Sequence, residues 1–258
     1  METTKVIGVI PARYASERLP AKPLLDLLGK PMILRVYEQA KKATLLHRVV
    51  VATDDHRIEK VVKAFGGDVV MTSPEIRSGS DRVAAVAQRE AGEIFVNIQG
   101  DEPLLAPMMI DEAVRVVLED PGADVGTLVK TITSESELIN PGVVKVVLDR
   151  QGHALYFSRS VIPWIRDSNN PLDWLKHHTF YKHIGLYVFR REFLSRFSDL
   201  PEGDLERSEK LEQLRILESG YTIKVGFTQY DSTPVDTQED AERVMMLIRE
   251  QEKPGTMS

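Results

Sequence analysis

Apolar residues along this chain gather into short runs separated by amphipathic stretches. Residues 6–10, 47–55, 68–71 and 93–98 are runs of strand length with little alternation, the pattern of strands buried on both faces. Between them, residues 31–42 and 58–65 repeat their apolar positions at helical spacing. Proline opens the first, which suits an initial helical turn, and Gly66-Gly67 closes the second. Residues 83–90 and 107–119 continue the rhythm as two more helices. Alternation of this kind predicts an α/β fold of three layers, a mostly parallel central sheet with helices on both faces.

From Asp124 the pattern changes. Residues 125–132 and 143–149 predict longer strands with partial alternation, and Asp149-Arg150-Gln151-Gly152 turns the second into a partner at 154–159. A polar loop at 167–175 precedes a strand at 180–189. We read about 125–195 as an antiparallel lobe of one domain, 1–258, because no flexible linker separates it. A short helix at 193–197 follows, then a longer one at 204–219 with Leu205, Leu211, Leu214 and Leu217 inward. A strand at 221–227, a last helix at 241–250 and a frayed tail at 253–258 complete the chain, with no repeat and no low-complexity tract.

Composition narrows the function. The 258 residues carry a net charge of −6, which disfavours non-specific binding to nucleic acid or anionic membranes. There is no cysteine, so disulfides, thiol catalysis and cysteine-ligated zinc are excluded. No apolar run approaches the ~20 residues of a membrane span, and METTKVIGVI does not resemble a secretory signal. A soluble cytoplasmic protein is the expectation.

Against that acidic background, the loop after the first strand holds three cations, Arg13, Arg18 and Lys22, among prolines that fix its backbone. Ligands of open α/β sheets bind just beyond the strand ends, so a polyanion site competes here with a plain solvated loop. The Ser78-Gly79-Ser80-Asp81-Arg82 turn offers backbone N–H groups and hydroxyls to a ligand, or simply an N-cap by Ser80 or Asp81. Asp101 follows a central strand beside Gly100, where a metal ligand or a turn-forming aspartate would sit equally well. Asp236 reads either as its partner on magnesium, which takes one or two carboxylates plus substrate phosphates, or as an N-cap with Glu239 in capping-box spacing. Spacing alone does not bring the two together. Neither a Walker loop nor a G-x-G-x-x-G fingerprint is present, which weakens ATPase and dinucleotide readings. His177 is expected at the surface, Trp164 and Trp174 in packing roles, and Met245-Met246 in the core.

The segments IPARYASERLPAKPL, VVVATDD, SGSDR, VNIQGDEPL, VKVVLD, ALYFSRSVIPW, HIGLYVFR, LEQLRIL and VDTQED occur in the order found in bacterial CMP-Kdo synthetases, the 3-deoxy-manno-octulosonate cytidylyltransferases, which this chain resembles over about residues 6–244. The resemblance implies a Rossmann-like nucleotidyltransferase fold whose lobe serves sugar binding and dimerisation. It implies that the anomeric 2-hydroxyl of Kdo attacks the α-phosphorus of CTP, giving CMP-Kdo, a precursor of the lipopolysaccharide inner core, and pyrophosphate. Arg13 and Lys22 would bind the triphosphate, and Asp101 and Asp236 would hold Mg2+, with a second magnesium on the β- and γ-phosphates. Pro11, Ala12, Ser78, Gly79 and Ser80 would face the cytidine with Arg82 near by. Gln99, Arg159, His183, Tyr187, Glu209 and Gln213 would line the sugar pocket. Two departures touch the nucleotide side: Ala21 stands where the family has glycine, at a strain of ~1 kcal/mol if the backbone there is left-handed, and Ser80-Asp81 replaces Thr-Glu. The resemblance also implies a homodimer, with residues 155–164 in its interface. Another 2-keto sugar acid as substrate, such as sialic acid or an amino variant of Kdo, remains an alternative, as does a non-catalytic nucleotide-binding protein.

Overall fold

The computed structural model describes residues 4–15, 19–76, 78–168 and 170–252, so Arg18 and the tail at 253–258 lie outside the described residues. The chain divides into two compact units, Met1–Asp111 with Asp231–Ser258, and Glu112–Tyr230. The lobe expected at about 125–195 is thus part of a longer unit.

The first unit alternates β1 (Val6–Ala12), α1 (Met32–Ala40), β2 (Arg48–Thr53), α2 (His56–Ala64), β3 (Asp68–Met71), α3 (Gly79–Ala87) and β4 (Ile94–Asn97), and enters α4 (Pro107–Glu119). Its strands lie in the order β3-β2-β1-β4, all parallel, as the apolar runs predict. Pairing of Ala12 with Thr53 and of Val9 with Asn97 sends the loops after β1, β2 and β4 from one sheet edge. Val9, Ile10, Val50, Phe95 and Val96 are fully buried, which is why these runs show no alternation.

In the second unit, β5 (Val125–Thr131) is followed by α5 (Glu135–Ile139), β6 (Lys145–Leu148), β7 (Ala154–Ser158), β8 (Tyr181–Arg190), α6 (Arg191–Phe197), α7 (Asp204–Glu209), α8 (Gln213–Glu218) and β9 (Ile223–Phe227). β8 is antiparallel to β5 and β6, and β6 to β7, but β9 pairs with β5 in parallel. That pairing holds residues beyond 195 in this unit. The last helix, α9 (Gln238–Gln251), belongs to the first unit and buries Val244 and Ile248 against Leu27 and Met32.

Several expectations need correction. The helix expected over 204–219 is two helices, broken at Lys210, which adopts a left-handed φ of 53°. Leu205 is consequently exposed, while Leu211 and Leu214 remain buried. α3 starts at Gly79, with Ser78 as its N-cap, earlier than its apolar face indicates. Residues 171–176 form a 3-10 helix in the stretch expected to be loop, and Trp174 is buried there beside exposed Trp164, ring centroids 4.6 Å apart. Met246 is exposed, and only Met245 packs on the core.

Candidate active site

β1 delivers Pro11, Ala12 and Arg13 to the sheet edge, and the chain turns back into a short 3-10 helix at Lys22–Leu24. Ala21 caps that helix with φ 56° and ψ 27°, so alanine occupies a left-handed conformation that glycine adopts without strain. Its N–H reaches the Tyr14 carbonyl at 3.2 Å, closing the loop. The Arg57 guanidinium lies 3.3 Å from the centroid of the Tyr14 ring and is also paired with Asp55, which holds that carboxyl well below its usual range. Nothing in the sequence pattern pointed to this clasp on the loop.

At the end of β4 the chain passes through Gln99 and Gly100 to Asp101. A side chain at Gly100 would place its Cβ 2.6 Å from the Pro11 carbonyl oxygen, so glycine lets Asp101 come up close against the first loop. The Asp101 carbonyl accepts the N–H of Val235 at 2.9 Å, which draws the segment before α9 alongside. Two carboxylates then converge on one cation: Lys22 Nζ lies 2.6 Å from Asp101 Oδ2 and 2.9 Å from Asp236 Oδ1. The lysine side chain is 13% exposed, so the ammonium is largely enclosed by the charges it neutralises.

Asp236 is not the helix cap. Thr237 is, in a capping box completed by Asp240 rather than Glu239. Asp240 Oδ2 accepts the N–H groups of both Asp236 and Thr237, leaving the Asp236 carboxylate to face Lys22.

Glu102, next to Asp101, is buried, and its carboxyl is pushed up to about 7 by burial and by the Asp101 charge, with hydrogen bonds from Ser232 and the Thr233 N–H opposing. Only Asp101 of this acidic pair reaches Lys22.

A cavity of about 250 Å³ adjoins these groups, lined among others by Pro11, Ala12, Arg13, Lys22, Gly79, Gln99 and Asp101. Ser78 and Ser80 flank Gly79, but both are occupied. Ser78 Oγ accepts the Asp81 N–H at 3.0 Å, and Ser80 is buried against Asn97. Arg82 lies deeper still, fully buried, with its guanidinium on Asp54 at 2.9 Å, on Ile76 O and on Thr72 Oγ1. Burial pushes it down from the usual arginine range. Arg82 therefore sits under the Ser78–Ser80 turn and does not line the cavity.

Five of the six sugar-site candidates lie in the second unit, and Gln99 in the first. The Ser158 hydroxyl donates to Glu209 Oε1 at 2.6 Å, and the Arg159 N–H to Glu209 Oε2 at 2.9 Å. The Arg159 side chain donates to the carbonyls of Glu209 at 2.7 Å and Pro141 at 3.1 Å. Beside them, Phe157 packs edge-on to His183, which in turn meets Tyr187, at ring-centroid distances of 5.0 and 5.3 Å. Burial pushes the His183 imidazole down to about 3 and the Tyr187 phenol well up. His183 Nε2 sits 2.9 Å from Thr127 Oγ1. Gln213 is buried, and its Nε2 has no hydrogen-bond partner among the described residues. A buried donor left open in this way is costly unless something accepts from it. Among the described residues no group of three or more His, Cys, Asp or Glu side chains forms a metal cluster.

An edge of parallel strands thus carries a cationic loop, a carboxylate pair and a cavity, chemistry suited to a phosphate-bearing ligand. The pattern that defines the cytidylyltransferase family matches residues 7–224, and the chain belongs to that family. Within it, the chain is 51% identical to the 3-deoxy-manno-octulosonate cytidylyltransferase of Parabacteroides distasonis, over 95% of this chain and 98% of that one. It is 50% identical to the enzyme of the same name from Geobacter sulfurreducens, over 95% and 99%. A solved structure of CMP:2-keto-3-deoxy-manno-octonic acid synthetase complexed with CTP superposes with a TM-score of 0.90 at 41% identity, covering 96% of this chain and all of that one. A cytidylyltransferase from Leptospira borgpetersenii, 18% identical with a TM-score of 0.63, shares the fold.

Proposed function

We propose that this chain transfers the cytidylyl group of CTP to the anomeric 2-hydroxyl of 3-deoxy-manno-octulosonate, releasing pyrophosphate. The observation that carries the reading is the meeting of Asp101 and Asp236 on Lys22 at the edge of the sheet. Similarity over the full length to relatives named for this reaction supports it.

The sugar oxygen forms a bond to the α-phosphorus, the bond from that phosphorus to the β-phosphate oxygen breaks, and the hydroxyl proton leaves to solvent. Arg13 binds the triphosphate at the mouth of the cavity. Lys22 meets the charge that grows on the departing pyrophosphate. Pro11, Ala12 and the turn at Gly79 take the cytidine, with Arg82 stiffening that turn from below. Arg159, His183, Tyr187, Glu209 and Gln213 take the sugar acid. His183, held neutral by burial, acts as a hydrogen-bonding group rather than as a charge.

Two carboxylate oxygens drawn to one point already share a single cation there, which fits a hard divalent ion completed by phosphate oxygens. Asp101 and Asp236 would hold Mg2+. When bound, the ion lowers the pKa of the attacking hydroxyl and neutralises phosphate charge. A second magnesium on the β- and γ-phosphates would be carried by the nucleotide.

Exposed Leu155 and Trp164 support a homodimer contact in residues 155–164. No described helix is long and apolar enough to cross a membrane. The test is pyrophosphate release with CTP, Kdo and magnesium, each omitted in turn, and with sialic acid or an amino variant of Kdo in place of Kdo. Release requiring all three components, and fastest with Kdo, supports the reading. Faster release with another sugar acid reassigns the substrate, and none with any sugar leaves a nucleotide-binding protein.

A further inference from the structure

Lys145 opens β6 as the one polar residue of a strand that continues with Val146, Val147 and Leu148, yet it is fully buried. Burying an ammonium is costly, and an apolar side chain would fill such a position more cheaply. Three main-chain carbonyls take its three N–H donors: Arg159 O at 2.6 Å, Val143 O at 2.7 Å and Asn140 O at 3.0 Å. Burial lowers its pKa, and the nearby Glu209 charge opposes that.

The partners are informative. Lys145 grips both ends of the 140–143 loop and the main chain of Arg159, while the Arg159 side chain grips Pro141 in the middle of the same loop. Arg159 then donates to the Glu209 and Lys210 carbonyls, at the left-handed break between α7 and α8, and the Glu209 carboxylate accepts from the Ser158 hydroxyl and the Arg159 N–H. The ammonium ties the 140–143 loop to Arg159, and Arg159 in turn ties both to the Glu209–Lys210 segment. Lys145 and Arg159 carry two positive charges against the one negative charge of Glu209, so the cluster favours an anion.

We propose that Lys145 is a positioning residue for the sugar acid, setting the Arg159–Glu209 pair in place and leaving one net positive charge to attract the substrate carboxylate. The inference rests on the reading of Arg159 and Glu209 as sugar-acid ligands.

The test is initial-rate kinetics of Lys145→Met, which keeps length and removes charge and donors, with Lys145→Gln as a second variant and Arg159→Met alongside. Folding is followed by circular dichroism, and KM is measured separately for Kdo and CTP. The expected result is a folded Lys145→Met protein with KM for Kdo raised at least tenfold and KM for CTP within twofold of the parent. Lys145→Gln, which keeps donors, should fall between. If Arg159→Met raises KM for Kdo while Lys145→Met does not, the positioning role is overturned and the sugar-site reading survives. If neither variant changes KM for Kdo, the sugar-site reading has failed and the proposal with it. Equal rises in both KM values, or failure of both Lys145 variants to fold, would make Lys145 a residue of the fold alone and overturn the proposal.

Discussion

The main-chain oxygen of Asp101 accepts the N–H of Val235 at 2.9 Å, and this bond sets Asp101 and Asp236 side by side. The carboxylates so placed would repel each other but for the ammonium of Lys22 between them. Lys22 keeps the pair together in the free protein, and in the proposed reaction it would also stabilise charge as pyrophosphate leaves.

Lys22→Ala should remain folded, since the lysine opens a single 3-10 turn and has no place in the apolar core, but lose turnover by about 100-fold, the ~3 kcal/mol of a lost transition-state contact. Steady-state pyrophosphate release checks it. A variant with the parent's turnover would remove Lys22 from the site.

Ala21→Gly should stabilise the protein by about 1 kcal/mol, because alanine pays for a left-handed φ of 56° that glycine adopts freely. Urea unfolding should show a higher midpoint with an unchanged slope. A lower midpoint would mean that glycine's extra freedom in the unfolded chain outweighs the relieved strain.

His183 gives a pH dependence of definite sign. Its folded value of about 3 lies below the ordinary 6.5, so the unfolded chain takes up a proton that the folded chain refuses. Stability from this group is complete above pH 6.5 and declines as pH falls toward 3, by up to about 1.4 kcal/mol per pH unit. Urea midpoints of the parent should fall between pH 6.5 and 4 more steeply than those of His183→Phe. Parallel curves would show that the imidazole is not held neutral.

Much of the first unit was legible because β1, β2 and β4 are buried on both faces and so leave unbroken apolar runs. The site was legible only in part. Arg13 and Lys22 stood out as cations in an acidic chain, but the meeting of Asp101 with Asp236 depends on a backbone bond to Val235 that no spacing reveals. Asp236 looked like a helix cap because Thr237, the actual cap, is its neighbour and equally suited to the role. The break at Lys210 was hidden by a continuous helical pattern of leucines, although a non-glycine residue at φ 53° is what sets Glu209 against Ser158. Lys145 gave no signal at all, since a buried lysine in a strand reads as a polar residue facing water.

The homodimer proposal makes a separate prediction. Leu155 and Trp164, at 60% and 69%, are the most exposed of the large apolar side chains described. Light scattering at micromolar concentration should give twice the chain mass, and Trp164→Glu should shift it toward the monomer. A monomer mass for the parent rejects the contact.

The most direct test of the metal-site account is the magnesium-dependent rate of pyrophosphate release by Asp236→Asn, with Thr237→Ala as the comparison. Because Thr237 and Asp240 cap α9, Asp236→Asn should keep the parent's thermal stability and bind CTP, yet lose at least 100-fold in rate, while Thr237→Ala should lose about 1 kcal/mol of stability and remain active. An Asp236→Asn protein that turns over at the parent's rate but unfolds more easily would contradict the account.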